Sequence, residues 1–347
     1  MQLYNVEFFT KKLEYVGSQQ ISSIDLEYDY LSPDENTLNL MLETKCNIDN
    51  IICIRSLIAD KDMIVGVVTT INETKKGKAV KFKSLLSLFD VPIISNQVET
   101  TIEEWLATQI SNTYITNEDI FQNIKCLDVK IKSQTYGTFE FDEDIVNLFD
   151  YVVNALKIFK ISINFYLDFK NKAIIAEIGQ NNSTMRVIEA DLPNILSKTI
   201  ELKTSANDNS ANKIIIISED NSITYYKLTD GTLTVSPEDN KRILPVIFSI
   251  KKIDCTPEEF FEKAYDVAVT ELADDDFNNL IELTVQEEDA LINPDIFEIG
   301  QKVLIISNNV QYTTYLTGYK SQKGTITLIF GAIRLELTKK LKRRLKK

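Results

Sequence analysis

The 347-residue sequence contains no histidine. That absence removes His-based triads, His-ligated zinc and the commonest general base near neutral pH. Cysteine is scarce. Cys46, Cys53, Cys126 and Cys255 form no CxxC pair, and their surroundings are apolar or strand-like, as in Ile51-Ile52-Cys53-Ile54. They read as buried, reduced thiols and not as a zinc site or disulfide framework. Glycine is low, with ten residues. Gly300 and Gly318 stand isolated, so neither a P-loop nor a GxGxxG turn is present. No apolar run approaches the roughly 18–20 residues of a membrane span. The opening MQLYNVEFFTKKLEY lacks the basic, apolar and cleavage regions of a signal peptide, so the protein is expected to work without secretion by that route.

What is present describes a protein with real cores: 44% apolar and 26% charged residues. The length suits roughly two to four domains. Net charge is −13, unevenly spread. The segment 339–347, KKLKRRLKK, holds seven cations and no acid: Lys339, Lys340, Lys342, Arg343, Arg344, Lys346 and Lys347. The rest of the chain keeps 31 basic against 51 acidic residues. Leu337, Leu341 and Leu345 fall four apart, the spacing of an amphipathic basic helix. An anionic membrane, a nucleic acid or an acidic partner would each suit it. The acidic body favours the acidic partner, because it repels phosphate.

The first 93 residues read mostly as strand. Ile24, Leu26, Tyr28 and Tyr30 alternate with polar positions up to Ser32-Pro33-Asp34. Met63 to Asn72 and Ala79 to Lys83 predict a hairpin about Lys76-Gly77-Lys78. Thr101-Ile102-Glu103-Glu104 is a capping box opening a helix to about Asn112, with Trp105, the only tryptophan, as a core anchor. A longer helix is predicted from Asp142, on the steps Ile145, Leu148, Phe149, Val152, Leu156 and Phe159. Ile161 to Asp168 and Ala173 to Glu177 predict a hairpin, and Ile188 to Asn194 a loop or turn. Thr204 to Ser210 is the best linker. Lys213 to Ser218 predicts a strand buried on both faces. Thr256-Pro257-Glu258-Glu259 predicts the start of a helix striped by Phe260, Phe261, Ala264, Val267, Ala268 and Leu272. From Asn279 to Arg334 four strand-like runs are broken by Pro-Asp, Asn308-Asn309 and Lys323-Gly324, an antiparallel meander. GVVTTINETKKGKAVKF near the start and TYLTGYKSQKGTITLIF near the end share a strand, Lys-Gly, strand order. Two ordinary hairpins or a duplicated domain would both leave that echo.

Paired acids occur at Glu103/Glu104, Asp142/Glu143/Asp144, Glu258/Glu259 and Glu287/Glu288/Asp289. A glycosidase needs two carboxylates across a cleft at about 5–9 Å. Most of these sit instead at helix starts, where they complement the dipole. Asp274-Asp275-Asp276 lacks the alternation and central Gly of a calcium loop.

NLIELTV, FEIGQKVLI, YTTYLTGY and TLIFGAIRLELTKKLKR together resemble the C-terminal end of phage tail hub and baseplate hub proteins. LEYDYLSPDENTLNL, GVVTTI, FKSLLSLFD and IEADLPNILSKTIELK extend the resemblance over nearly the whole chain. It implies an α+β, β-rich fold of two small tube-forming β-barrels with accessory α/β elements. The segments expected are 1–95, the first part of one tube-type barrel; 96–200, an α/β accessory domain; 201–255, a β-rich connection; and 256–347, a helix, the second barrel and the basic tail. The resemblance further implies a homotrimer that closes a sixfold tail tube, with no cofactor and no active site. Its partners would be a distal tail or tail-tube protein and a receptor-binding or tip protein. It implies no small-molecule substrate and no membrane span, with DNA contact confined to the tail lumen. Because the chain stops at Lys347, lytic activity is expected on a separate protein. Two other readings stand beside this one: a carboxylate-dependent cell-wall hydrolase, and a membrane- or nucleic-acid-binding module acting through residues 339–347.

Overall fold

The computed structural model describes residues 4–22, 24–56, 61–75, 77–94, 101–137, 139, 145–181, 184–201, 211–229, 232–244, 246–272, 279–289, 291–292 and 297–331. It is β-rich, with α-helices in the minority. Two compact units form: one from residues 1–199 and 281–347, the other from 200–280.

The first unit opens with seven strands: β1 (Tyr4–Phe9), β2 (Tyr15–Ile21), β3 (Leu26–Asp29), β4 (Glu35–Leu40), β5 (Ile51–Ser56), β6 (Lys61–Thr74) and β7 (Gly77–Ser84). Six of them make an antiparallel sheet in the order β2-β1-β5-β6-β7-β4. Its core gathers Tyr4, Phe8, Leu38, Leu40, Ile52, Ile54 and Phe82, all buried. β4 alternates strictly, with Asn36, Leu38 and Leu40 inward and Glu35, Thr37 and Asn39 exposed, as one covered face requires. β3 leaves this sheet, although Ile24 and Leu26 still bury into its core.

The next stretch holds β8 (Pro92–Ile94), α1 (Ile102–Tyr114), β9 (Leu127–Ile131), β10 (Ile145–Asn147), α2 (Leu148–Phe159), β11 (Ile161–Asp168), β12 (Ala173–Gln180), β13 (Arg186–Glu189) and β14 (Ser197–Glu201). The capping box forms as read: Glu104 N–H donates to the Thr101 hydroxyl and Thr101 N–H to the Glu104 carboxylate. Trp105 is buried beside Phe139 and Tyr151. The sheet β11-β12-β9 pairs antiparallel and then parallel.

Two expectations fail in part here. The second helix starts at Leu148, because Ile145–Asn147 pair with β8 and the Asn147 side chain accepts the Phe149 N–H as its cap. Asp142 itself lies outside the described residues. The turn read over Ile188 to Asn194 holds at 190–194 but not at Ile188 and Glu189, which end β13: this strand pairs parallel with one more than a hundred residues on, Ile188 opposite Ile305.

The second unit contains β15 (Lys213–Ile217), β16 (Ser222–Lys227), β17 (Leu233–Thr234), β18 (Phe248–Lys252) and α3 (Phe260–Glu271). The sheet order is β17-β16-β15-β18. Phe260, Ala264, Ala268 and Leu272 of α3 pack on Ile214, Ile216 and Tyr225. β15 is buried on one face only: Ile214 and Ile216 are covered, while Ile215 and Ile217 are half-exposed. α3 also starts later than read. Thr256 to Glu259 form a turn closed by Glu259 N–H donating to the Thr256 carbonyl. The linker read at Thr204 to Ser210 lies outside the described residues.

The chain then returns to the first unit with β19 (Leu280–Gln286), β20 (Lys302–Ser307), β21 (Val310–Gln322) and β22 (Thr325–Gly331). β20, β21 and β22 form the expected meander, but β19 does not lead it: it pairs beyond β22 at the far side, so the four strands are not consecutive neighbours. Asn308 and Asn309 at φ 50° and 62°, and Lys323 and Gly324 at 51° and 81°, make its two-residue turns. Ile326, Leu328 and Phe330 are buried. The sheet runs β13-β20-β21-β22-β19-β14, and β3 adds to β21, with Tyr28 opposite Tyr319 and Leu26 opposite Ser321.

Candidate assembly surface

Five of the acids singled out above, Glu103, Glu104, Glu259, Glu287 and Asp289, bond within the fold. Glu103 is fully buried and accepts three bonds, from the Ser133 hydroxyl at 2.7 Å and from the Thr135 N–H and hydroxyl at 2.8 Å each. Glu104 belongs to the cap. Glu259 pairs with Lys263 at 3.0 Å; that bond first, and the Thr256 contacts after it, hold its carboxyl below the usual range. Glu287 is buried and accepts the Ser321 hydroxyl at 2.8 Å. Asp289 accepts the N–H groups of Leu291 and Ile292 and the Asn194 amide. Asp142, Glu143, Asp144 and Asp274 to Asp276 lie outside the described residues. So do all seven cations of 339–347.

Cys53 and Cys126 are buried and Cys46 and Cys255 half-buried, all as free thiols. Burial pushes the Cys53 thiol up, and the charge of Asp62 adds to it. Among the described residues, no three His, Cys, Asp or Glu side chains stand together as metal ligands, and no helix is long and apolar enough to cross a membrane.

A cavity of about 460 Å³ lies where the two large sheets of the first unit meet β11 and β12. Tyr28 and Tyr319 stack at its wall, ring centres 5.5 Å apart, and the Tyr319 hydroxyl donates to the Met63 carbonyl at 2.8 Å. Glu298 in its wall accepts the Asn181 amide at 3.0 Å, and two other carboxylates there are paired with cations. Asp62 accepts from Arg55 and from the Leu167 N–H, both at 2.8 Å, and Glu177 faces Lys130 and Lys132 at 3.0 and 3.6 Å. The walls come from five distant segments, so nothing in the linear sequence marks them. The arrangement is a polar joint that fixes the sheets together.

The feature that bears on function is a repeat. β4, β5, β6 and β7 lie in the order β5-β6-β7-β4, and β19, β20, β21 and β22 in the order β20-β21-β22-β19. In each block the first strand in sequence becomes the far neighbour of the last. In each, a long strand carries a register shift, between Val68 and Thr70 in one and Leu316 and Gly318 in the other. In each, a glycine lets a paired strand approach closely, its own hairpin partner β7 in the first block and β3 in the second. A Cβ on Gly66 would lie 2.3 Å from the Lys83 carbonyl oxygen, and one on Gly318 would lie 2.5 Å from that of Tyr28. The weak echo in the sequence falls on these two hairpins.

No family model matches the sequence, and no curated protein matches it. Among solved structures, the fold is that of phage tail and baseplate proteins. A tail protein from Neisseria meningitidis MC58 aligns at TM-score 0.54 and 12% identity, over 94% of this chain and 96% of that one. The 43 kDa tail protein of prophage MuSo2 from Shewanella oneidensis aligns at 0.53 and 8%, over 96% and 98%. A chain of the phage P2 baseplate in its activated conformation aligns at 0.52 and 13%, over 95% and 98%. The resemblance read in the sequence is thus matched in fold over nearly the full chain.

Proposed function

We propose that this chain is a structural virion protein, a trimeric hub that joins the phage tail tube to the baseplate or tail tip. The observation that carries this reading is the repeated four-stranded block. Two matched sheets per chain, taken three times, give six similar elements around an axis, and a threefold hub can then close a sixfold tube. The fold shared with tail and baseplate proteins supports the same reading. So do Glu103, Glu104 and Glu287, whose carboxylates serve a helix cap or buried hydrogen bonds. The chain is not an enzyme in this reading. It sits in the virion tail between a tail-tube or distal tail protein and a tip or receptor-binding protein, and assembles in the host cytoplasm. Lys339, Lys340, Lys342, Arg343, Arg344, Lys346 and Lys347 contact an acidic neighbouring subunit.

Electron microscopy and native mass spectrometry of the purified chain test the reading. A threefold ring is expected, and removal of residues 339–347 should weaken its stacking on neighbouring tail proteins most at low salt. A chain that stays monomeric at every concentration, alone and with those neighbours, overturns it.

A further inference from the structure

Two exposed patches on this chain have complementary chemistry. The first is the bare face of the β15–β18 sheet. α3 covers one face through Ile214, Ile216 and Tyr225. The pairing of Lys213 with both Tyr226 and Phe248, and of Ile215 with Ile250, places these residues together on the opposite face. Phe248 and Ile250 are 59% and 61% exposed there. Lys213 Nζ lies 5.5 Å from the Tyr226 ring centre and 5.6 Å from that of Phe248, and the Arg242 guanidinium lies 4.7 Å from Tyr226. The three longer strands of the sheet present no acid on this face, although residues 200–280 hold 16 acids against 8 bases. A stacked row of cations and aromatic rings is thus left open to solvent.

The second patch is the loop after α1, Glu118-Asp119-Ile120-Phe121. Phe121 is 91% exposed and Ile120 69%. The loop is braced from within. Asn117 N–H donates to the Asn123 side chain and the Asn123 amide returns to the Asn117 carbonyl. Asp119 N–H donates to the Asn117 side chain, and the Phe121 N–H to the Asp119 carboxylate. A large aromatic side chain held out on a braced, acidic loop has little ordering left to lose on binding.

We propose that the Glu118–Phe121 knob of one copy docks on the bare sheet face of a second copy, with Phe121 against Phe248 and Ile250 and the acids against Lys213 and Arg242. The contact rests on the homo-oligomeric reading above and gives it an interface. Knob and face are different patches, so the contact is head-to-tail, the kind that closes rings rather than twofold dimers. Three strands of five or six residues present roughly 250 Å². A free-standing interface covers about 800 Å² per partner. The contact is therefore one of several in the ring, and its loss should loosen the ring without abolishing it.

The full chain tests this by sedimentation velocity over a concentration series. Phe121→Ser, Phe248→Ser, Glu118→Lys and Lys213→Glu each change an exposed or half-exposed side chain. Each should raise the dissociation constant about tenfold, and Glu118→Lys combined with Lys213→Glu should recover most of the loss. In parallel, Phe121→Cys with Ile250→Cys should form interchain disulfides on mild oxidation that neither single variant forms. A wild-type oligomer with unchanged variants and no disulfide overturns this contact and leaves the hub reading standing. A wild-type chain that stays monomeric both alone and with the neighbouring tail proteins overturns both.

Discussion

Glu103 is a carboxylate with no exposed surface and three donors around it. Its neighbour Glu104, one residue on, serves the helix cap in partial contact with water. The sequence shows only two adjacent acids in a cap; which one is buried depends on Ser133 and Thr135, thirty residues away. Glu103→Ala removes the acceptor and leaves buried donors without a partner, which should cost about 3 kcal/mol in urea denaturation. Glu103→Gln, which keeps one acceptor oxygen, should cost less. Asp191 makes a pH-dependent contribution. Its bond from Lys198, then those from the Asn308 N–H and Ser307 hydroxyl, hold its carboxyl below the ordinary range. A depressed carboxylate stabilises the fold above its unfolded pKa of about 3.9, and that stability is lost as pH falls through the folded value. Asp191→Asn should therefore melt below wild type at neutral pH, and the two melting curves should converge as the buffer is taken well below pH ~4.

At the scale of elements, the legible features were those written in local chemistry. Asn308-Asn309 and Lys323-Gly324 marked turns because a two-residue hairpin needs positive φ, and Thr101 marked a helix start because its partner lies three residues on. The features that escaped depend on remote partners. Ile188 and Glu189, the end of β13, read as loop because their strand pairs with β20, far along the chain. Lys213 to Ser218 looked doubly buried because an apolar run does not reveal whether a second layer arrives. The cavity wall is scattered over five segments. The helix read from Asp142 begins only at Leu148, because β8 claims Ile145–Asn147 first. Gly318 carries a further test. With the Tyr28 carbonyl oxygen 2.5 Å from where a Cβ would sit, Gly318→Ala must push β3 away from β21, since backbone cannot swing aside as a side-chain tip can. A loss of about 1–3 kcal/mol is expected, with faster hydrogen exchange at the Tyr28 and Tyr319 amides.

At the scale of the molecule, residues 200–280 form an insertion. The chain leaves the first unit on β14 and re-enters it on β19, which are neighbours in one sheet. Adjacent strands lie about 4.8 Å apart, so a Gly-Ser linker of about six residues can span the gap. Replacing residues 202–278 with such a linker should leave the first unit folded, with a single cooperative melt and unchanged β-sheet circular dichroism. The two ends of the first unit are joined: β3 lies on β21, and the Ser321 hydroxyl donates to the Ile24 carbonyl 297 positions earlier. Contacts that distant slow folding, and they set a schedule during translation. As the ribosome works, strand β3 emerges early and has nowhere to pair until β21 has also been made. The joint between the two repeated blocks can close only once β21 has been made, so a chain broken off before it leaves β3 without its partner strand.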